Sequence, residues 1–234
     1  MALNTLVLFD IDGTILLTAG AGRRAITAAL AEETNITDGF ERVRFDGKTD
    51  PQIVTELLEA AGDERARDPT FVRGVCRRYV AILAEELQQP RSAATVMPGV
   101  LPLLDALERE TGVVLGLLTG NLAEGAALKL TAAGIMVERF QVGAYGSDSA
   151  YRPDLPPIAA RRAVHHFGRE PYGREVVIIG DTPADVTCGR SISARAIGVA
   201  TGAYSLEVLA EAGAHAAFSD LSDTGRVLEA ILGE

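Results

Sequence analysis

Asp10 and Asp12 stand two residues apart at the end of an apolar run, and Gly13 and Thr14 follow them. The run of Thr, Leu, Val and Phe over residues 5–9 reads as a buried strand. In an open parallel sheet, ligands bind beyond the carboxyl ends of the strands. The acid pair, with a glycine for a tight turn, therefore offers two carboxylates and a bent backbone at one strand end; a plain acidic turn has the same composition. A second apolar run, 113–118, ends in Thr119-Gly120-Asn121 with helical sequence after it. Asn121 with Glu124 predicts a capping box, and the free amides of that first turn predict an anion site shared by the Thr119 hydroxyl. A helix cap alone would use the same residues. A third run, 176–179, ends in Gly180-Asp181-Thr182-Pro183-Ala184-Asp185. Thr182 can cap, Pro183 suits the first helical position, and an acid at Asp185 is favoured by the helix dipole anyway. Asp181 is a further carboxylate at a strand end. Carboxylates converging on one crevice repel one another unless a hard divalent cation sits among them, and Mg²⁺ suits oxygen ligands of this kind.

The elements that must position these groups are legible as an alternation. Buried strands are expected at 5–9, 113–118, 176–179 and 196–200, with a weaker one at 140–145 and an edge strand at 216–218. Helices are expected at 100–110, 122–133, 158–167, 183–193 and 221–232. This predicts an α/β fold with a doubly wound, mostly parallel sheet. About 100 residues separate the first two strong strands, where a crossover unit needs about 30 in all. The excess reads as helices at 21–33, 51–61 and 69–87, an inserted helical domain. We therefore expect a core of residues 1–18 and 91–234 and an insert of residues 19–90.

Composition narrows the function. The chain has 234 residues, 47% hydrophobic and 23% charged, as a globular protein does. Its net charge of −10 argues against a nucleic-acid partner and against a polybasic membrane-surface role. No apolar run is long enough to span a membrane, and the first residues lack the pattern of a secretory signal. Cys76 and Cys188 have no zinc-ligand spacing and read as reduced, buried residues, which suits a cytoplasmic location. Gly47-Lys48-Thr49 is half of a P-loop, with Arg42 where the first glycine would stand. His165 and His166 fit a helix terminus better than a metal site, and no serine-hydrolase elbow is present.

The acid pair, Thr119-Gly120-Asn121, Arg152-Pro153 and Gly180-Asp181-Thr182-Pro183-Ala184-Asp185, in this order and at strand ends or helix starts, resemble the motifs of the haloacid dehalogenase-like hydrolase superfamily. Within it the chain is similar to the phosphoglycolate phosphatase and β-phosphoglucomutase group, and the insert looks like that family's helical cap. The resemblance implies a Mg²⁺-dependent phosphatase acting on a small phosphate ester through an aspartyl phosphate. Asp10 would be the nucleophile and Asp12 the general acid and base. Thr119, Gly120, Asn121 and Arg152 would bind the phosphoryl group. Asp10, Asp12 (through its carbonyl) and Asp181 would ligate the metal, with Asp185 a ligand or support. A phosphomutase uses the same residues and returns the phosphoryl group to a sugar. A non-catalytic phospho-receiver also pairs acids, a Thr and a cation around Mg²⁺, though without an inserted domain.

The family's third motif normally carries a lysine, and this chain has only Lys48 and Lys129. Lys129 lies two helical turns past Asn121, about 12 Å along the axis, which predicts that it points away from the strand ends. Arg152 is therefore expected to supply the cation. Lys48, in the 46–50 loop of the insert, is expected to contact the variable part of the substrate.

Overall fold

The computed structural model describes residues 4–233. Strand β1 (Thr5–Phe9) runs into the short β2 (Leu16–Leu17). Helices α1 (Ala21–Thr34), α2 (Asp50–Ala60) and α3 (Pro69–Glu86) follow. The chain returns through β3 (Thr95–Val96), antiparallel to β2, and α4 (Val100–Leu107) to β4 (Val113–Thr119). Next come α5 (Ala123–Ala132), β5 (Val142–Tyr145), α6 (Leu155–Arg162) and α7 (Val164–Phe167). The last elements are β6 (Val176–Gly180), α8 (Pro183–Cys188), β7 (Arg195–Val199), α9 (Leu206–Glu211), β8 (Ala216–Phe218) and α10 (Thr224–Leu232).

Six strands form one sheet in the order β5-β4-β1-β6-β7-β8, and every pairing in it is parallel. The α/β fold expected from the alternation is the fold observed. β1 is central, with Thr5 opposite Val113 of β4 and Leu6 opposite Val176 of β6. Its side chains alternate between two apolar layers. Val7 and Phe9 pack with Leu103, Leu104, Val227 and Ile231 on one face. Leu6 and Leu8 pack with Leu155, Ala159 and Ala163 on the other. A strand buried on both faces needs apolar residues at every position, which is why the run has no polar alternation. Each such side chain contributes about 1.5–3 kcal/mol relative to exposure.

Helices α1 to α3 build a separate apolar cluster. Ala21, Ala25, Ile26, Ala29 and Leu30 meet Val75, Cys76, Tyr79 and Leu83 across α1 and α3, at the i, i+3, i+4 spacing of a helix face. Thr49 caps α2 by accepting from the Gln52 amide, and Asp68 caps α3 by accepting from Thr70, with Pro51 and Pro69 in the first turns. Glu86, at the end of α3, ties the two passages between sheet and helices. It accepts from Arg24 Nε and Ser92 Oγ, each at 3.0 Å, and from Arg91. Cys76 and Cys188 are buried free thiols, as expected.

Helix limits differ from expectation where local chemistry intervenes. α6 begins at Leu155, because Pro156 and Pro157 fit a first turn that lacks donors to satisfy. α8 ends at Cys188, and a 3₁₀ turn over Gly189–Ile192 replaces its last expected residues. α10 begins only at Thr224, where the Asp223 side chain accepts from the Arg226 amide at 3.3 Å. No helix of the described residues is long and apolar enough to cross a membrane.

Candidate active site

Three adjacent parallel strands, β4, β1 and β6, deliver their carboxyl ends to one crevice. Asp10 directly follows β1, Thr119 ends β4 and Asp181 directly follows β6. The ladder extends one step past β1, since the Asp10 amide donates to Ile179 O at 2.9 Å. The chain then turns sharply, and Gly13 adopts φ 85. A side chain there would be strained, and its Cβ would lie 2.3 Å from Asp181 Oδ2. Only glycine lets the turn come this close to the second carboxylate.

Asp10, Asp181 and Asp185 each offer a carboxylate oxygen, and the three oxygens lie within 4.8 Å of one another. Burial, then the charge of Asp185, pushes the Asp10 carboxyl up to about 7. Burial, then Asp185 and Asp10, pushes Asp181 up to about 9. Thr14 Oγ1 donates to Asp181 at 3.2 Å but brings no charge. Hard oxygen donors short of positive charge are the set that a hard divalent cation completes, so these residues fit Mg²⁺.

Arg152 is the buried countercharge. Its Nη2 lies 3.1 Å from Asp10 Oδ1 and donates to Asp185 Oδ1. Burial opposes its charge, yet Asp185 and Asp10 hold its pKa above the ordinary range. Its Nε is buried without a hydrogen-bond partner in the structure. The expected cation is therefore in the crevice. Asp185 also completes the α8 capping box, its Oδ2 accepting from Thr182 N at 3.0 Å and Thr182 Oγ1 at 2.6 Å.

Two expectations about the 119–129 segment are overturned. Asn121 does not cap α5, whose N-cap is Leu122 without a side-chain bond. Instead Asn121 Nδ2 donates to Asp12 Oδ2 at 2.8 Å and Thr119 Oγ1 at 2.7 Å. The nearby amides are not free either. Asn121 N donates to Thr119 Oγ1, Leu122 N to Asp50 Oδ2 and Ala123 N to Ser147 Oγ. Second, Lys129 does not point away from the strand ends. It is 4% exposed, and its Nζ lies 2.7 and 2.6 Å from the two Asp12 oxygens and 2.6 Å from Asn121 Oδ1. Helical side chains lean toward the N-terminus of their helix, and the turn after β1 brings Asp12 over α5 to meet this one. Axial rise alone captures neither effect. Both cations, Arg152 and Lys129, thus enter the site.

The helical insert closes over the crevice. Asp50 N donates to Gly120 O at 2.8 Å, Asp50 Oδ2 accepts from Leu122 N at 2.8 Å, and Thr49 Oγ1 donates to Ala150 O at 2.8 Å. Burial raises the Asp50 carboxyl to about 6, against the opposing pull of Lys129. A Cβ on Gly120 would lie 2.0 Å from Lys48 O, so this contact needs glycine. The Lys48 ammonium pairs with Glu56 of α2. A cavity of about 270 Å³ remains, lined among others by Asp10, Asp12, Lys48, Thr119, Lys129 and Arg152. Sequence reasoning missed Asp50, Tyr79 and the placement of Lys129. The scarcity of lysine was the one signal that singled Lys129 out.

Residues 5–192 match the haloacid dehalogenase-like hydrolase family, and the chain belongs to it. A phosphoglycolate phosphatase of Rhodospirillum rubrum is 29% identical over 222 residues, covering 94% of this chain and 88% of its own. Among solved structures, a hydrolase from Pseudomonas syringae superposes with a TM-score of 0.74 at 23% identity, covering 97% of this chain and 98% of that one. A β-phosphoglucomutase from Clostridium difficile gives 0.73 at 16% identity, covering 98% and 97%. These two likenesses show the shared fold.

Proposed function

We propose that this hydrolase is a Mg²⁺-dependent phosphatase of small phosphorylated metabolites, phosphoglycolate-like or sugar phosphates, working through an aspartyl phosphate. The observation that carries the reading is the pairing at the central strand end. Asp10 sits among Asp181, Asp185 and Arg152, while Asp12, two residues on, faces the same cavity with different partners. Two carboxylates in such different surroundings suit two different roles.

Asp10 attacks phosphorus, and its oxygen forms the new P–O bond as the bond to the leaving oxygen breaks. Asp12 gives its proton to that leaving oxygen. It then takes a proton from water, whose oxygen bonds to phosphorus while the bond to Asp10 breaks, returning the carboxylate and releasing phosphate. Arg152 and Thr119 line the cavity where the phosphoryl oxygens would lie, with the Gly120 and Asn121 backbone beside them. Mg²⁺ would be held by Asp10, Asp181 and the Asp12 carbonyl, with Asp185 supporting, and would offset the repulsion between nucleophile and phosphate dianion. The insert encloses the site, which favours small esters over macromolecules. The 29% identity to a phosphoglycolate phosphatase supports the chemistry.

The test is a panel of phosphate monoesters assayed for phosphate release with Mg²⁺, with excess chelator, and after Mg²⁺ is restored. Release that depends on Mg²⁺ is expected. Full activity in chelator would overturn the metal assignment. Transfer to an added sugar hydroxyl in preference to water would turn the reading to a phosphomutase.

A further inference from the structure

We propose that Lys129, together with Asn121, positions the Asp12 carboxyl group, which in its protonated form gives its proton to the leaving oxygen and is left as the carboxylate that these two side chains hold. This rests on the phosphatase reading above. Lys129 spans both oxygens of Asp12, at 2.7 and 2.6 Å, and Asn121 Nδ2 reaches Oδ2 at 2.8 Å. Asn121 is itself oriented, because its Oδ1 accepts from Lys129 at 2.6 Å and its Nδ2 donates to Thr119 Oγ1 at 2.7 Å. The three side chains form a closed triangle anchored on β4 and α5. Asp12 is otherwise free to turn, since 42% of its side chain is exposed.

The insert walls off the ammonium. A Cβ on Gly22 would lie 3.4 Å from Lys129 Nζ and 3.9 Å from Tyr79 Oη, so the helix start at Gly22 and the α3 tyrosine close round it. Tyr79 is fully buried and also lines the cavity. An ion pair open to water on its carboxylate side adds little net stability. The arrangement does fix the torsions of an acid that must lie within hydrogen-bond reach of the leaving oxygen. Misplacement by about 1 Å can cost 100-fold in rate.

The test exploits leaving groups. p-Nitrophenolate leaves without a proton, whereas an alkoxide needs one. kcat/KM reports only steps up to phosphoryl transfer to Asp10, so the later use of Asp12 on water does not enter. For Lys129→Met we expect kcat/KM to fall by about 100-fold on an alkyl phosphate and by under about ten-fold on p-nitrophenyl phosphate, within the usual worth of a positioned proton donor. Asn121→Ala should show the same selectivity, more weakly, and serves if Lys129→Met fails to fold. Lys129→Arg should recover part of the alkyl activity. Equal losses on both esters, or no loss on either, would overturn the proposal. Asp12→Asn is the reference. If it is selective and the Lys129 and Asn121 variants are not, positioning alone fails. If Asp12→Asn loses both esters equally, the acid role of Asp12 falls, and the proposal falls with it.

Discussion

Arg152 Nη2 lies 3.1 Å from Asp10 Oδ1, and the same nitrogen donates to Asp185 Oδ1. One guanidinium thus serves the carboxylate at the end of β1 and the capping acid of α8. Arg152→Ala should lose about 2–4 kcal/mol of transition-state stabilisation, roughly 30- to 1000-fold in kcat/KM. It should also lower stability by about 3–5 kcal/mol, because buried carboxylates are left unpaired. Arg152→Lys should fall between Ala and wild type, since an ammonium keeps the charge but not the fork. Kinetics and thermal melts on the same preparations check both effects. Wild-type kcat/KM in a folded Arg152→Ala protein would remove Arg152 from the site chemistry.

Asp10→Asn should abolish turnover and leave the fold unchanged. The amide keeps the volume and the backbone bond from Asp10 N to Ile179 O, but it is not a nucleophile. Circular dichroism verifies the fold, and phosphate release above background in that protein would overturn covalent catalysis at this position.

Glu86 sets a pH dependence for the two passages between the sheet and the helical insert. Arg91 first, then Arg24 and Ser92, hold its carboxyl down to about 2. The folded value lies below that of the unfolded chain, about 4.3. Its contribution is therefore present in full above the unfolded value and is lost as pH falls from about 4 toward 2. Glu86→Gln should lower Tm at pH 7 by about 2–8 °C, from roughly 1–2 kcal/mol of charge-assisted hydrogen bonding. The gap to wild type should shrink as the buffer is taken below pH 4. A Tm difference independent of pH would assign Glu86 a packing role instead.

Gly120→Ala tests the docking of the insert. Its Cβ would lie 2.0 Å from Lys48 O, a backbone atom that cannot swing aside. We expect kcat/KM on the preferred metabolite to drop by at least about ten-fold, with a smaller loss on p-nitrophenyl phosphate. Lys48→Ala, which leaves Glu56 with Gln52 as its remaining partner, should share that selectivity more mildly. Equal losses on both esters in Lys48→Ala would give Lys48 a role in fold or chemistry and not in specificity.

The six strands of the sheet and the presence of a helical insert followed from local pattern, and the structure sets Asp10, Thr119 and Asp181 at three adjacent strand ends. Apolar runs without polar alternation demand burial on both faces, and parallel connection then forces their carboxyl ends to one side. The start of α2 at Asp50 and of α3 at Pro69 also lay within a residue of expectation, because Thr49, Asp68 and the two prolines act over a single turn. Only the tertiary structure decided what Asn121 and Lys129 do. Asn121 has the composition of a cap, but Asp12, 109 positions away, offers its amide a charged acceptor. Lys129 reads as remote because position along a helix is counted from its own start. The turn after β1 crosses to α5 and sets Asp12 on its ammonium, and Gly22 and Tyr79 of the insert then close round that ammonium. Contacts of this kind join segments over a hundred residues apart, and no local periodicity encodes them.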